Sequence, residues 1–302
     1  GTTTVSLGSS LAVDNLRFRF HGKTAHAAAQ PEQGRSALDA VELMNNGVNY
    51  LREHVIEKAR IHYVITNGGG APNVVPDEAE VWYFVRAPER DQVEEITARV
   101  RKIAEGATLM TETSYEEDFQ AGAYNVLPNR ALAELALGLM RELGPLEFTE
   151  EEQQFAQTII DGFPAGTREA SMRSMEQPLS MLAKPLHTEI VSPLDEGKVG
   201  AGSTDVGDVS WITPTVQVHS TCWPIGIPGH SWGITATGAM SIGHKGMIHA
   251  AKAMAITAAE LYTNPDELAK AQAEFKERTT DRPYKTPIPE GVMPPAPQKP
   301  RA

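Results

Sequence analysis

Leu16-Arg17-Phe18-Arg19-Phe20-His21-Gly22-Lys23-Thr24-Ala25-His26-Ala27-Ala28, then Pro31-Glu32-Gln33-Gly34-Arg35-Ser36-Ala37, is the stretch on which the fold turns. Leu16, Phe18 and Phe20 alternate with Arg17 and Arg19, the period-two pattern of a half-buried strand. The strand ends at His21-Gly22, and from Arg35 the pattern becomes helical: Leu38, Val41, Met44, Val48, Leu51 and Val55 fall on one face. Gly47 weakens this helix without breaking it. Between strand and helix sits His26, with Gly22 and Gly34 freeing the backbone, Pro31 fixing a bend and small alanines leaving the ring room. Such a histidine either faces a substrate or serves the turn itself.

Outward from this stretch the pattern repeats. Ile61, Tyr63 and Ile65 alternate as a second strand, Gly68-Gly69-Gly70 turns the chain, and Val81, Tyr83 and Val85 mark a third strand opposite Trp82 and Phe84. Asp91 is placed to cap a helix carrying Val93, Ile96, Val100 and Ile103, which the pattern ends at Gly106, and Leu109 to Phe119 supplies a fourth strand. The order β-α-β-β-α-β predicts a split βαβ unit: a four-stranded antiparallel sheet with both helices on one face, over residues 14–123. Residues 1–13 read as the end of an upstream segment, and 124–280 as a second region. Asn129 caps a helix bearing Leu132, Leu135, Leu139 and Leu143, and Thr149 caps an acidic helix to Ile160. Residues 162–200 have no clear period and read as a long ordered loop or flap. Ser241 to Tyr262 reads as a long, mostly buried helix, and residues 281–302, rich in proline, as an extended tail.

Composition narrows the function. The chain has 302 residues, 41% hydrophobic and 22% charged, with a net charge of −12. That is ordinary for a globular protein and argues against a nucleic-acid partner. No run approaches the ~18 apolar residues of a membrane span, so no membrane role and a cytoplasmic location are expected. A single cysteine, Cys222, excludes an intrachain disulfide and a cysteine metal cluster, leaving any metal to histidine and carboxylates.

Four segments carry candidate chemistry. Asn73 lies in Gly68-Gly69-Gly70-Ala71-Pro72-Asn73-Val74-Val75-Pro76, either a turn former or an amide aimed at a substrate carbonyl or carboxylate. Arg86 ends an apolar strand, either as a solvated or ion-paired strand end or as a bidentate carboxylate clamp. His230, in Trp223-Pro224-Ile225-Gly226-Ile227-Pro228-Gly229-His230-Ser231-Trp232, has the setting of a fixed metal ligand or of a hydrogen-bonded loop histidine. His219, His244 and His249 are weaker candidates. Asp205 and Asp208, in Gly202-Ser203-Thr204-Asp205-Val206-Gly207-Asp208-Val209-Ser210, suit a capping network as well as a catalytic role. Glu150-Glu151-Glu152 reads as a solvated face, and Gly68–Gly70 lacks the lysine and helix start of a phosphate loop.

Taken together, the Gly22–Ala40 run, Ala71–Pro76, Ser203–Trp211 and Pro228–Trp232 resemble, in the same order and over residues 10–290, the dinuclear metallo-aminoacylase and carboxypeptidase family. The resemblance implies an α+β lid domain inserted in an α/β zinc-peptidase-like catalytic domain, of which only the C-terminal part is present. It implies an amidohydrolase that cleaves p-aminobenzoyl-glutamate or a related N-acyl amino acid by metal-activated water. A dipeptidase or aminoacylase of the same family, and a non-catalytic dimerisation or binding fragment, are the alternatives. By the resemblance His26 reaches across a homodimer to stabilise the oxyanion in the partner's active site. Asn73 and Arg86 contact the substrate, flanking one strand so as to converge on one anion, and His230 is the last metal ligand. Two zinc or manganese ions belong to the complete enzyme, and a related second subunit is a possible partner. The family's early metal-binding segments and its glutamate base precede the lid, so this chain is expected to be inactive alone.

Overall fold

The computed structural model describes residues 1–292; Pro294, Pro295, Pro297 and Pro300 of the expected tail lie outside the described residues. In chain order the strands are β1 Thr4–Ser6, β2 Ala12–His21, β3 Arg60–Asn67, β4 Glu78–Ala87, β5 Ser114–Ala123 and β6 Gln217–His219. The α-helices are α1 Ala37–Leu51, α2 Arg90–Thr111, α3 Arg130–Leu143, α4 Glu150–Asp161, α5 Thr167–Ser174, α6 Val206–Ser210, α7 Trp232–Gly238, α8 Ser241–Thr263 and α9 Pro265–Thr279. The chain divides into two units. One comprises residues 1–8, 127–198 and 212–283; the other comprises 9–126, 199–211 and the chain from Tyr284.

The second unit contains the β-α-β-β-α-β element order. Its sheet runs β3-β4-β2-β5, every neighbour antiparallel, with a bulge in the β2–β5 pairing between Asn15 and Leu16. Leu16, Phe18, Phe20, Val81, Tyr83 and Val85 are buried together with Val41, Met44, Val48, Val93, Ile96 and Val100, so α1 and α2 cover one face. Gly47 has a packing reason: a Cβ there would come within 2.6 Å of Ile103, so its absence lets the two helices close on each other. Two polar links lock the covered face. The Tyr83 hydroxyl donates to Asn45 Oδ1. Arg90 pairs with Asp14 at 2.7 Å, and Thr97 Oγ1 donates to Asp14 Oδ2 at 2.8 Å.

Three boundaries differ from the sequence expectation. Helix α2 is capped by Glu89, which shares a capping box with Gln92, leaving Asp91 in the first turn. It also continues past Gly106 to Thr111, because Ala104 and Ala107 are buried and one glycine costs only about 1 kcal/mol. The turn then falls at Glu112, φ 53°, and β5 starts at Ser114 rather than near Leu109.

In the other unit β1 pairs antiparallel with β6, and Val5 and Leu7 pack with Ala133, Ala136, Leu137, Met140 and Ala253. The face of α3 is thus rotated from the expected leucine row: Leu135 and Leu139 are half-buried. Asn129 Oδ1 caps α3 through Leu132 N at 2.9 Å, and Thr149 caps α4 in a capping box with Glu152. Glu152 is no solvated acid. It is buried and accepts from Ser241 Oγ at 2.5 Å and Lys245 Nζ at 2.7 Å, tying α4 to α8. Helix α8 buries Ile242, Gly246, His249 and Ala253 but exposes Met247, Ile248 and Met254, against the expectation of a mostly buried helix. The aperiodic 162–200 stretch contains α5 and a 3-10 turn at Leu179–Ala183.

Candidate functional site

The loop after β2 and the loop before β4 are fastened side by side. Lys23 and Arg35 exchange backbone hydrogen bonds at 2.8 Å, which Gly22 permits, since a Cβ there would sit 2.0 Å from the Arg35 carbonyl oxygen. Beyond that, Val75 N donates to Ala25 O at 2.9 Å and Ala27 N to Asn73 O at 3.0 Å, with His26 opposite Val74. His26 and Asn73 are therefore neighbours at one end of the sheet unit, both exposed.

The imidazole of His26 is oriented by its own turn. Its Nδ1 accepts from Ala28 N at 3.2 Å and Ala29 N at 3.1 Å. A ring nitrogen accepting two N–H groups carries no proton, so the neutral ring places its hydrogen on Nε2, which is left as an outward donor. Asn73 engages its neighbours through its backbone, and its exposed side-chain amide has no hydrogen-bond partner among the described residues.

Arg86 stands elsewhere. It is eight residues along β4 from Glu78, about 26 Å at ~3.3 Å per residue, while Asn73 precedes Glu78. The strand that these two residues flank separates them instead of converging them. On the open face of the sheet Arg86 lies over the ring of Phe84 at 5.1 Å, and its Nε is buried with no acceptor. At the other end of that face Glu80 takes Arg17 and Arg19 at 2.9 Å each and Thr66 Oγ1 at 2.7 Å, and Arg17 stacks on Trp82. Burial alone would raise the Glu80 carboxyl, but the hydrogen bonds from Thr66, Arg19 and Arg17 outweigh it and hold the carboxyl below its ordinary range. The register also sets Arg60 opposite Arg86. Sequence reading did not single out Arg60, although the signal was there: Arg60 and Arg86 are equidistant from Asn73, at the centre of their hairpin.

Asp208 is structural. It accepts from Tyr124 N at 3.3 Å and from the Tyr284 hydroxyl at 3.0 Å. Tyr284, its ring tilted against that of Tyr124 with centroids 4.8 Å apart, is pushed up to about 12 by burial and by that carboxylate. Asp205 stands at the start of α6 beside the Thr204 hydroxyl at 3.3 Å.

In the other unit His230 is exposed at φ 54°, a left-handed conformation uncommon outside glycine and concentrated at functional sites. The following Trp232 stacks on Phe163 with centroids 5.0 Å apart. His249 is buried and bound to the Gly144 carbonyl at 3.0 Å, a packing role. Burial pushes the His219 imidazole down, against the pull of Asp195. Among the described residues no three His, Cys, Asp or Glu side chains come together to hold a metal ion. No helix of the described residues is long and apolar enough to cross a membrane.

Over 295 residues, 94% of its length, the chain is 43% identical to a subunit of the p-aminobenzoyl-glutamate hydrolase of Escherichia coli (strain K12), of which it spans 61%. It is 26% identical over 269 residues, 88% of its length, to Xaa-Arg dipeptidase of Homo sapiens, spanning 51% of that protein. In fold it is similar to a hydantoinase/carbamoylase-family amidase of Burkholderia vietnamiensis, at TM-score 0.51 and 12% identity, over 83% of this chain and 50% of that one. Residues 13–110, which include His26, Asn73 and Arg86, match the model of a peptidase dimerisation domain, M20_dimer.

Proposed function

We propose that this chain is the lid-bearing part of a homodimeric M20 amidohydrolase that cleaves p-aminobenzoyl-glutamate or a related N-acyl amino acid. The carrying observation is the separation of about 26 Å along β4 between the His26–Asn73 end and Arg86. Two residues of extended chain span at most ~7 Å. A substrate of dipeptide size touched by all three side chains must therefore lie between two copies of the sheet unit. Arg86 of one copy then holds the substrate carboxylate. The other copy brings Asn73 to the scissile carbonyl and His26 Nε2–H to the oxyanion that grows there.

The proton position matters in this reading. With Nδ1 occupied by Ala28 and Ala29, the neutral ring meets the developing negative charge as a donor without first taking up a proton. The complete enzyme on this reading holds two zinc or manganese ions, and His230 would be one of their ligands. A related second subunit is the alternative to a second copy. The likeness to Xaa-Arg dipeptidase keeps a dipeptide substrate as a second reading.

Mixing two single variants of the complete enzyme tests the arrangement. His26→Ala should lower turnover by ~10²–10³, as for one lost oxyanion donor, and Arg86→Ala should act chiefly on KM. Equal mixing restores about a quarter of wild-type activity, one intact site in each heterodimer. Failure of the mixture to gain activity breaks the two-copy site, and an inactive wild type on a panel of N-acyl amino acids and dipeptides breaks the hydrolase reading.

A further inference from the structure

Directly opposed residues of an antiparallel pair leave the same face, with Cβ atoms about 4.5–5.5 Å apart. Arg60 and Arg86 form such a pair, on the open face, since the adjacent Ile61 and Val85 are buried on the other. Opposed like charges destabilise a ladder, and the same face shows the usual remedy, with Arg17 and Arg19 both paired to the Glu80 carboxylate. Arg60 and Arg86 have no carboxylate partner among the described residues. Arg60 turns Nη1 onto the carbonyls of Glu57 and Ala59 at 2.7 Å each, and the rest of its fork is unused. Arg86 is held against Phe84 with a buried Nε that has no acceptor.

We propose that Arg60 and Arg86 together form a dicarboxylate site and that Arg60 selects acidic over neutral amino acids in the substrate. Two guanidinium forks anchored on neighbouring strands match two carboxylates joined by a short carbon chain, as in an N-acyl-glutamate. Arg86 takes one and Arg60 the other, next to the opposed pair His62 and Phe84. Each bound carboxylate also removes the repulsion between the two cations. This inference rests on the hydrolase reading for the role of Arg86 and adds the second carboxylate and the residue that reads it.

The test compares N-benzoyl-glutamate with N-benzoyl-glutamine, which differ by one carboxylate, in the complete wild-type enzyme and in Arg60→Gln. The variant should lose roughly 10- to 100-fold in kcat/KM on the glutamate amide, mainly through KM, with little change on the glutamine amide. Equal losses on both amides, no loss on either, or a wild type without preference between them overturns the site. If the wild type cleaves neither, calorimetric titration of N-benzoyl-glutamate decides. Binding weakened by the same factor in Arg60→Gln supports the dicarboxylate site while the hydrolase reading falls, and absence of binding to the wild type overturns the site as well.

Discussion

The two faces of the four-stranded sheet handle polar groups in opposite ways. On the covered face each buried polar group has an internal partner: Asp14 has Arg90 and Thr97, and Tyr83 has Asn45. On the open face one end is ion-paired around Glu80, and the other leaves Arg60 and Arg86 opposed. The difference follows from solvent. Burial makes an unpaired charge expensive, so the covered face satisfies everything internally. Water tolerates unpaired cations, so the open face can hold charge in reserve for a ligand.

The covered face should show the largest effect. Arg90→Ala leaves the Asp14 carboxylate buried without its cation, and the sheet unit should lose about 3–5 kcal/mol in denaturant unfolding. A loss near zero would mean that Asp14 is not buried as described. Asn45→Ala is the next step down: it strands the Tyr83 hydroxyl in the core, for about 1–3 kcal/mol. Burial already pushes the Tyr83 phenol far up, so no ionisation relieves it.

The ion-paired end of the open face should report on pH. Glu80 titrates below its ordinary range in the folded chain, so its contribution is complete above the unfolded carboxylate value of about 4.3. It is lost as pH falls through the lower folded value. Thermal unfolding followed from pH 6 to pH 3 should therefore show an acid loss that Glu80→Gln reduces, and an unchanged slope would remove Glu80 from the account. The smallest effect belongs to the opposed pair. Arg60→Gln removes a like-charge contact and should leave stability unchanged or raise it by up to about 1 kcal/mol, whereas a clear loss would show that Arg60 is a structural residue.

Much of this molecule is legible along the chain. The alternation of Leu16, Phe18 and Phe20 and the helical spacing of Val41, Met44 and Val48 define the split βαβ unit because burial acts on local periodicity. Caps such as Asn129 and Thr149 are legible for the same reason: side chain and backbone partner lie three residues apart. Gly106 misleads because the burial of Ala104 and Ala107 outweighs a weak local preference. Glu152 misleads because the groups that bury it, Ser241 and Lys245, lie far along the chain.

The sequence by itself determined the order of strand and helix periodicities, the position of His26 on a turn between strand and helix, and the presence of Asn73, Arg86 and His230 in loops and strand ends. Only the tertiary structure decided which of these meet. Backbone pairing joins His26 to Asn73 across the chain, and the extended strand β4 carries Arg86 away from both toward Arg60. Residue type and spacing are local quantities, whereas proximity depends on strand register, which is fixed when a whole hydrophobic face is buried at once.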